Sequence, residues 1–298
     1  MKQIFKQYGA VAALLVGITA VSVLVTLFAG NWSVAPNKDL RPQVLATTYP
    51  VYVAAEYILG EDASMALSRL DGAASGCLHD YQLSPSDRRL TQEADLILLN
   101  GAGAESFLHG LIDESKCVDT SAGLDLLCAD HHHEEGEEHH HEDEYNEHLW
   151  LSPSRYGAQV EAVRDALCAL NPDMADTYRK NATAYLDEIR GVAESLPDLS
   201  GRPCVLFHDS MSYLAADLGL DVKLTLSVEG ESGLSAAALK QVEELASQYP
   251  DLLLLYDTQY ALRYEGVAGT PVTISTAVQE DWLTAMKKNV ETLQKVAE

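Results

Sequence analysis

The sequence predicts an α/β protein of two lobes, each with a parallel sheet flanked by helices, joined by one long helix. Three observations lead to this fold class. Six short apolar runs of β-forming residues alternate with helical patterns, these runs fall into two groups, and a long helical stretch without strand patterns separates the groups. At 298 residues, 47% of them hydrophobic, the chain is long enough for two moderate cores.

The first thirty residues differ in kind from the rest. Lys2 and Lys6 precede an uncharged run, rich in Ala, Val and Leu, that extends to Gly30. This run is close to the about 20 residues needed to cross a bilayer. Residues 1–30 are therefore expected to be a signal peptide or an N-terminal membrane anchor. Either places the protein in the cell envelope outside the cytoplasm, membrane-anchored, secreted or periplasmic, with residues 31–42 as a polar linker.

The N-terminal lobe is predicted over residues 43–170, with strands at 44–48 and 95–99 and a helix over 85–94. The C-terminal lobe is predicted over residues 199–298. Its expected strands are 204–207, 222–226, 252–256 and 271–274, and its expected helices are 235–248 and 280–297.

Two helices are predicted between the strand groups. Ser152 and Pro153 begin the first, and Asn171 with Pro172 begins the second, which spans residues 171–198 and links the lobes. The apolar stripe of this linking helix extends over about 25 residues, or roughly 37 Å at 1.5 Å per residue. The helix is therefore long enough to run along both lobes.

The formal net charge of −25 disfavours nucleic acid and anionic membrane surfaces as partners and attracts cations. Export also allows disulfides to persist, but an odd number of cysteines leaves at least one unpaired within the chain. Their pairing cannot be read from spacing, and the alternative is that they are small buried thiols. The five are Cys77, Cys117, Cys128, Cys168 and Cys204.

Residues 131–148, HHHEEGEEHHHEDEYNEH, contain seven His and eight acidic residues and almost nothing apolar. We expect residues 131–147 to form a flexible loop that gathers Zn²⁺ weakly through transient sets of imidazoles and carboxylates. The alternative is a solvated polyelectrolyte that contributes only solubility.

Three other features of the sequence place histidines at the junctions of predicted elements. His79 lies in a loop before a helix, His148 precedes the helix that begins at Pro153, and His208 follows a strand. Because ligands of open α/β sheets bind in the crevice beyond the carboxyl ends of strands, these imidazoles are candidates for one Zn²⁺ site in that crevice. His109, on a predicted helix, lacks such a placement and is interpreted as a surface residue.

The three local sequences are HDYQLSPSD at 79–87, EHLWLSP at 147–153 and FHDS at 207–210. Together they resemble the metal-binding signatures of the cluster A-I substrate-binding proteins of bacterial ABC transporters, the zinc and manganese family. The resemblance spans roughly residues 43–298. It implies a bilobed protein with a rigid linking helix and a metal between the lobes, held by His79, His148 and His208.

The metal is expected to be zinc, with Mn²⁺ less favoured. Three nitrogen ligands favour zinc, and His208 stands where zinc-type members carry His and manganese-type members tend to carry a carboxylate. A His-rich acidic loop before the second motif also resembles zinc-type members. The fourth ligand is left open, because Ser275 or Thr276 stands where the family usually has Asp. We assign it to water, and less strongly to Asp257 or an acidic residue of the loop.

The predicted function is capture of zinc outside the cytoplasm and its delivery to an ABC transporter permease, without enzymatic activity. The alternative is an extracytoplasmic zinc hydrolase, in which Asp209 or Glu147 would act as the base. Against it, the chain has no HExxH, no GxSxG and no phosphate-binding glycine loop. A surface adhesin with a structural metal would need partner-binding residues that nothing in the sequence identifies.

Overall fold

The computed structural model describes residues 16–23, 39–70, 81–129, 145–226, 234–258, 266–278 and 280–298. The chain divides into two units, residues 1–40 and 41–298. In the first unit, residues 16–23 are helical (α1) with exposed side chains, and the remainder of the predicted signal or anchor lies outside the described residues. Within the described part of the chain, no helix combines the length and apolar character needed to span a bilayer.

The N-terminal lobe of the second unit contains a four-stranded parallel sheet. Its strands are β1 (Gln43–Ala46), β2 (Ala66–Arg69), β3 (Leu96–Leu99) and β4 (Cys117–Asp119), in the order β2-β1-β3-β4. Helix α2 (Tyr49–Leu59) follows β1, and α3 (Pro85–Glu93) precedes β3. The central strands β1 and β3 are almost wholly buried, as expected for a parallel sheet covered on both faces.

The C-terminal lobe contains a second four-stranded parallel sheet. Its strands are β5 (Pro203–Leu206), β6 (Asp221–Thr225), β7 (Leu253–Asp257) and β8 (Thr270–Ile274), in the order β6-β5-β7-β8. Pro271 lies in β8, an edge strand. Proline is tolerated there because its missing N–H would have faced the open edge, where there is no neighbouring strand to accept a hydrogen bond. The helices of this lobe are α6 (Ser212–Asp217), α7 (Ala236–Gln248) and α8 (Trp282–Ala297). The structure therefore has the predicted fold class.

The two strands that the sequence patterns missed, β2 and β4, lie at the edges of the first sheet. They have four and three residues, and most of their side chains are only half-buried. An edge strand with one covered face carries no continuous apolar run, and so short a segment shows too few alternations for a period to be recognised. The six predicted strands are all present, each displaced by one residue or two.

Two long helices connect the lobes, α4 (Pro153–Leu170) and α5 (Ala175–Ser195). Helix α5, the linking helix, has 21 residues, about 31 Å at 1.5 Å per residue. It is shorter than predicted for two local reasons. A 3₁₀ turn over Pro172–Met174 replaces its first turn, and Leu196 is extended because it precedes Pro197.

The linking helix contacts both lobes. Near its N-terminal end, Nδ2 of Asn181 donates to the carbonyl oxygen of Ile58 in α2 (2.9 Å). In its C-terminal half, Glu188 pairs with Lys287 of α8 (2.9 Å). One continuous buried core includes residues of β1, β3, α4, α5, β5, β7 and α8. The two lobes therefore share apolar packing and are not two cores joined by a tether.

Aromatic side chains form much of the contact between the lobes. Trp150 donates its indole N–H to the carbonyl oxygen of Thr276 (2.8 Å), and Trp282 donates to the carbonyl oxygen of Trp150 (2.8 Å). Tyr156 of α4 stacks on Trp282, with ring centroids 4.4 Å apart. Because both indole N–H groups are satisfied, these large rings are buried without an unpaired donor.

Among the cysteines in the described part of the chain, Cys117, Cys128, Cys168 and Cys204, no disulfide joins one to another. Cys204 is fully buried in β5, in agreement with the alternative of a small buried thiol. Cys77 lies outside the described residues.

Candidate metal site

His148 is held between two fixed pieces of backbone. On its N-terminal side, Tyr145 forms an antiparallel bridge with Cys128. On its C-terminal side, a 3₁₀ turn of three buried residues, Leu149–Leu151, leads into α4, whose N-terminus is capped by the Ser152 hydroxyl. The residue is 5% exposed. Cys128 and Tyr145 flank the His-rich segment, and Tyr145 is only three residues before His148. The bridge therefore brings the chain on both sides of that segment close to His148.

His208 lies two residues past the end of β5 and has an extended backbone. The N–H of Ser210 donates to Nδ1 of His208 (3.0 Å), and Oδ1 of Asp209 lies 3.1 Å from the same nitrogen. Its side chain is 26% exposed, so this ring is more accessible than that of His148.

The structure brings these two histidines from different lobes into contact. Their ring centroids are 5.6 Å apart and their planes are almost perpendicular, at 86°. Two nitrogens bound to one tetrahedral Zn²⁺ lie about 3.3 Å apart, given Zn–N distances of about 2.0–2.1 Å. Rings at this separation can place two nitrogens at such a spacing through their edges.

The third predicted histidine, His79, lies outside the described residues, as do residues 131–144 of the His-rich loop. Within the described ranges, no group of three His, Cys, Asp or Glu side chains surrounds a common point. The described residues thus bring together a pair of imidazoles. His109 is a surface residue as predicted, with 86% of its side chain exposed.

Residues 81–87, which follow His79 in the sequence, are held by hydrogen bonds to one buried carboxylate. Asp87 of α3 is fully buried and accepts hydrogen bonds from the Tyr81 hydroxyl and from the backbone N–H of Ser84. The Ser84 hydroxyl accepts from the Asp87 N–H, which completes a capping box at the start of α3.

Asp257, one of the candidates for the fourth ligand, ends β7 beside β5. Leu206, the last residue of β5, pairs with Leu255 of β7, so His208 and Asp257 each lie two residues beyond this pair. The hydroxyl of Thr276 donates to Asp257 (2.6 Å), whereas that of Ser275 donates to Glu280 (2.7 Å). Thr276 thus orients the candidate carboxylate, and Ser275 is directed to a different acid.

A buried polar network behind His148 was not foreseen from the sequence. Its centre is Asn100, just past the end of β3, which donates Nδ2 to the carbonyl oxygen of Glu147 (2.9 Å). The backbone N–H of Asn100 and that of Gly101 donate to the Glu105 carboxyl group (2.7 and 3.1 Å). In the sequence, this network is indicated only by a polar residue, Asn100, directly after the apolar run of β3.

Glu105 and Glu147 are both buried within this network. Burial raises the pKa of Glu105 to about 7, against the hydrogen bonds from Thr47, Asn100 and Gly101, and the nearby Glu147 adds to the rise. A carboxyl group with this pKa is substantially protonated near neutral pH.

Gly101 has φ +83°, and a Cβ atom there would lie 1.9 Å from Oδ1 of Asp119. The tight turn that carries the network at the end of β3 therefore requires glycine.

Comparison with known proteins gives one family and several relatives. Residues 44–296 match the model of the family described as zinc-uptake complex component A, periplasmic. The zinc-binding lipoprotein AdcA of Streptococcus pneumoniae is 27% identical over 304 residues, which cover 92% of this chain and 60% of AdcA. The iron-binding protein YfeA of Yersinia pestis is 31% identical over 214 residues, which cover 70% of this chain and 67% of YfeA.

The crystal structure of Zn(II)-bound AdcA from Streptococcus pneumoniae matches with a TM-score of 0.68 at 24% identity, over 86% of this chain and 58% of that one. This likeness concerns the fold. The chain spans about 60% of the length of the first curated relatives that it matches. Since the family model covers nearly all of residues 41–298, the chain belongs to the family of zinc-uptake complex component A, periplasmic.

Proposed function

We propose that this protein captures Zn²⁺ outside the cytoplasm and delivers it to the permease of an ABC transporter, with membrane association through residues 1–30. The observation that carries the proposal is the ring contact between His148 of the N-terminal lobe and His208 of the C-terminal lobe, 5.6 Å between centroids. We assign the chain to cluster A-I of the substrate-binding proteins, with lobes over residues 43–170 and 199–298 and a linking helix within 171–198.

In the proposed site, His148 and His208 bind Zn²⁺ together with His79. Three imidazoles match a borderline-soft ion that prefers nitrogen ligands in tetrahedral geometry. Any imidazole that is protonated releases its proton on binding, so zinc affinity falls as the pH is lowered. The shared core of the lobes supports closure by local ordering around the metal without a wide swing.

Water is the proposed fourth ligand, with Asp257 as the alternative. The pairing of Leu206 with Leu255, two residues before His208 and Asp257, supports the alternative, and the hydrogen bond from Thr276 would orient the carboxylate. An Asp257→Asn variant separates the two. It leaves zinc affinity nearly unchanged if water is the ligand and weakens it at least tenfold if the carboxylate binds.

Metal analysis tests the binding site directly. The full-length chain, purified without added metal, is expected to hold about one tightly bound zinc, which is lost in each of the variants His79→Ala, His148→Ala and His208→Ala. His109→Ala is the matched control, because His109 is exposed and outside the site. Retention of zinc by the His148 or His208 variant would overturn the proposed ligand set.

The choice of metal needs a competition experiment, because YfeA is named an iron-binding protein and AdcA a zinc-binding one. Zn²⁺, Mn²⁺ and Fe²⁺ are offered together to the metal-free chain under anaerobic conditions. We expect zinc to be retained at equal concentration, since nitrogen ligands favour it over Mn²⁺ and Fe²⁺. Retention of manganese or iron in preference to zinc would contradict the assignment.

Delivery and the absence of enzymatic activity need separate tests. ATP-dependent uptake of zinc by vesicles that contain the cognate permease should require this protein and fail with the His208→Ala variant. No zinc-dependent turnover of ester or peptide substrates is expected, and such turnover would favour a hydrolase.

The His-rich loop is proposed to gather zinc weakly beside the site. Because Cys128 and Tyr145 pair close to His148, ions held by residues between them would be released near the cleft. Calorimetric titration of a variant that lacks residues 131–145 should show fewer weakly bound zinc ions than the full-length chain. An unchanged number of bound ions would exclude this role.

A further inference from the structure

Asn146 uses every one of its hydrogen-bonding groups. Its backbone N–H donates to the carbonyl oxygen of Leu127 (2.8 Å), and its carbonyl oxygen accepts from the hydroxyl of Tyr213 (2.8 Å). Its side chain accepts from the backbone N–H of His148 (2.9 Å) and donates to the carbonyl oxygen of Asp209 (2.8 Å). The residue is 2% exposed, so these bonds are shielded from water.

These partners fix the orientation of the Asn146 amide. Asp209 offers a carbonyl oxygen, which only the amide nitrogen can meet, and the backbone of His148 offers an N–H, which only the amide oxygen can accept. A flipped amide would place donor against donor and acceptor against acceptor. Oδ1 is therefore the atom that lies 3.1 Å from Nδ1 of His148.

The oriented amide determines the tautomer of His148. Oδ1 accepts hydrogen bonds and cannot donate, so Nδ1 of the neutral imidazole must carry the proton. The lone pair then resides on Nε2. In water a neutral histidine carries its proton mainly on Nε2, so this contact selects the form that is less common in solution and that ligates through Nε2.

The same side chain joins the two lobes. Asp209 follows His208 directly in the sequence, and its carbonyl oxygen is the acceptor for Asn146. A displacement of the His208 backbone away from the N-terminal lobe therefore breaks a partly buried hydrogen bond to the residue that orients His148.

We infer that Asn146 is a positioning residue of the metal site, which holds His148 in the Nδ1–H tautomer and couples its placement to the backbone that carries His208. The inference rests on the proposed function, because the benefit of the tautomer is ligation of the metal. It concerns a residue that does not contact the metal and acts through its neighbours.

The test compares the full-length chain with three variants, and His148→Gln serves only to assign the NMR signals. Asn146→Ala removes both side-chain hydrogen bonds, whereas Asn146→Asp keeps an acceptor for Nδ1 but cannot donate to Asp209. The matched control is Asn181→Ala, which removes a partly buried hydrogen bond to the carbonyl oxygen of Ile58 in another part of the fold. Circular dichroism establishes that each variant is folded.

Two readouts are measured for each protein. Long-range ¹H–¹⁵N NMR with labelled histidine reports the tautomer of metal-free His148, assigned by loss of its signals in His148→Gln. Competition with a chelator reports the Kd for zinc. A residue needed only for stability would not change the tautomer in a folded variant.

We expect Asn146→Ala to move His148 to the Nε2–H tautomer and to raise the Kd for zinc about 10–100-fold, with one ion still bound at saturation. Asn146→Asp is expected to keep the Nδ1–H tautomer and to lose less affinity. Asn181→Ala should match the parent chain in both readouts.

The inference is overturned if His148 keeps the Nδ1–H tautomer in Asn146→Ala, or if the Kd of that variant is unchanged. Failure of the proposed function gives a different result, since His148→Ala would then bind zinc as tightly as the parent chain. The tautomer readout needs no metal and tests the positioning of His148 in either case.

Discussion

At the level of single residues, the two histidines meet different hydrogen-bonding partners. Nδ1 of His148 faces an acceptor, the Asn146 oxygen, whereas Nδ1 of His208 faces a donor, the Ser210 N–H, and an acceptor, the Asp209 carboxylate. Ligation through Nε2 requires a proton on Nδ1. On metal binding, Nδ1 of His208 should therefore lose the hydrogen bond that it accepts from Ser210 and donate one to the Asp209 carboxylate.

The Asp209 carboxylate is therefore expected to contribute to zinc affinity. Asp209→Ala should weaken zinc binding about 10-fold or more, because the protonated Nδ1 of His208 loses its acceptor. Asp176→Ala is the control, since Asp176 is a fully exposed carboxylate on the linking helix. Chelator competition measures both affinities, and an equal Kd for the two variants would contradict the role of Asp209.

Glu105 predicts a pH dependence of stability. Its pKa is raised to about 7 in the folded chain, mainly by burial, and returns to about 4.5 on unfolding. Between these values the unfolded state binds fewer protons than the folded state, so the free energy of unfolding falls as the pH rises. At about 1.4 kcal/mol per unit, the loss from this group is on the order of 3 kcal/mol.

Urea denaturation from pH 4 to 8 measures this dependence. Glu105→Gln should remove that part of the slope, although the amide costs stability at every pH because it opposes the Gly101 N–H. Glu114→Gln, at an exposed carboxylate, should leave the slope unchanged. A slope that is equal in Glu105→Gln and the parent chain would refute the interpretation.

The sequence identified His148 and His208 because both stand next to recognisable element boundaries and motifs, and the structure places their rings together. Their role in metal binding stays a prediction. Asn146 and Glu105 could not be found in this way. Their importance depends on partners such as Asp209 and Thr47, 63 and 58 residues away in the chain, and no local pattern records a contact of that range.

At the level of elements, helices were predicted well where a capping residue marks the start. Ser152, Ser235 and Ser84 each precede a helix and accept a hydrogen bond from the backbone of its first turn. The linking helix has no such cap, because Met174 precedes it and makes no side-chain cap. The sequence therefore predicts its start four residues too early, at the Asn171–Pro172 pair.

The capping box of α3 yields a prediction for the chain next to His79. Ser84→Ala removes the hydroxyl that accepts from the Asp87 N–H and donates to its carboxylate, and should lower the free energy of unfolding by about 1 kcal/mol. Ser247→Ala is the control, because that hydroxyl bonds only within its own helix near the C-terminal end. Equal effects in urea denaturation would show that the cap is not needed.

At the level of the whole molecule, the shared core limits how far the lobes can separate. Opening the cleft by rotation would expose Trp150, Tyr156 and Trp282, all at most 1% exposed, and would break the indole hydrogen bonds between the lobes. Exposing one such aromatic side chain costs several kcal/mol. The metal-free protein is therefore expected to keep its lobes together.

Small-angle scattering of the chain with and without zinc measures this directly. The radius of gyration should be the same in both states within error. A clear contraction on adding zinc would show a hinge and contradict closure by local ordering. Magnesium at the same concentration is the control for effects of a divalent cation on an acidic protein.

The acidity of the molecule predicts how fast zinc arrives. With 45 acidic against 20 basic residues, the formal charge of −25 attracts a divalent cation over distances set by the ionic strength. The screening length falls from about 30 Å at 0.01 M salt to about 8 Å at 0.15 M. The association rate should therefore fall several-fold across this range, while the dissociation rate, set by bonds inside the cleft, stays nearly constant.

Trp150, whose ring centroid lies 5.2 Å from that of His148, provides a fluorescence signal for stopped-flow measurements of both rates. Sucrose at equal osmolality, which does not screen charge, should leave the rate unchanged, and an association rate insensitive to salt would mean that the field of the protein does not guide the ion.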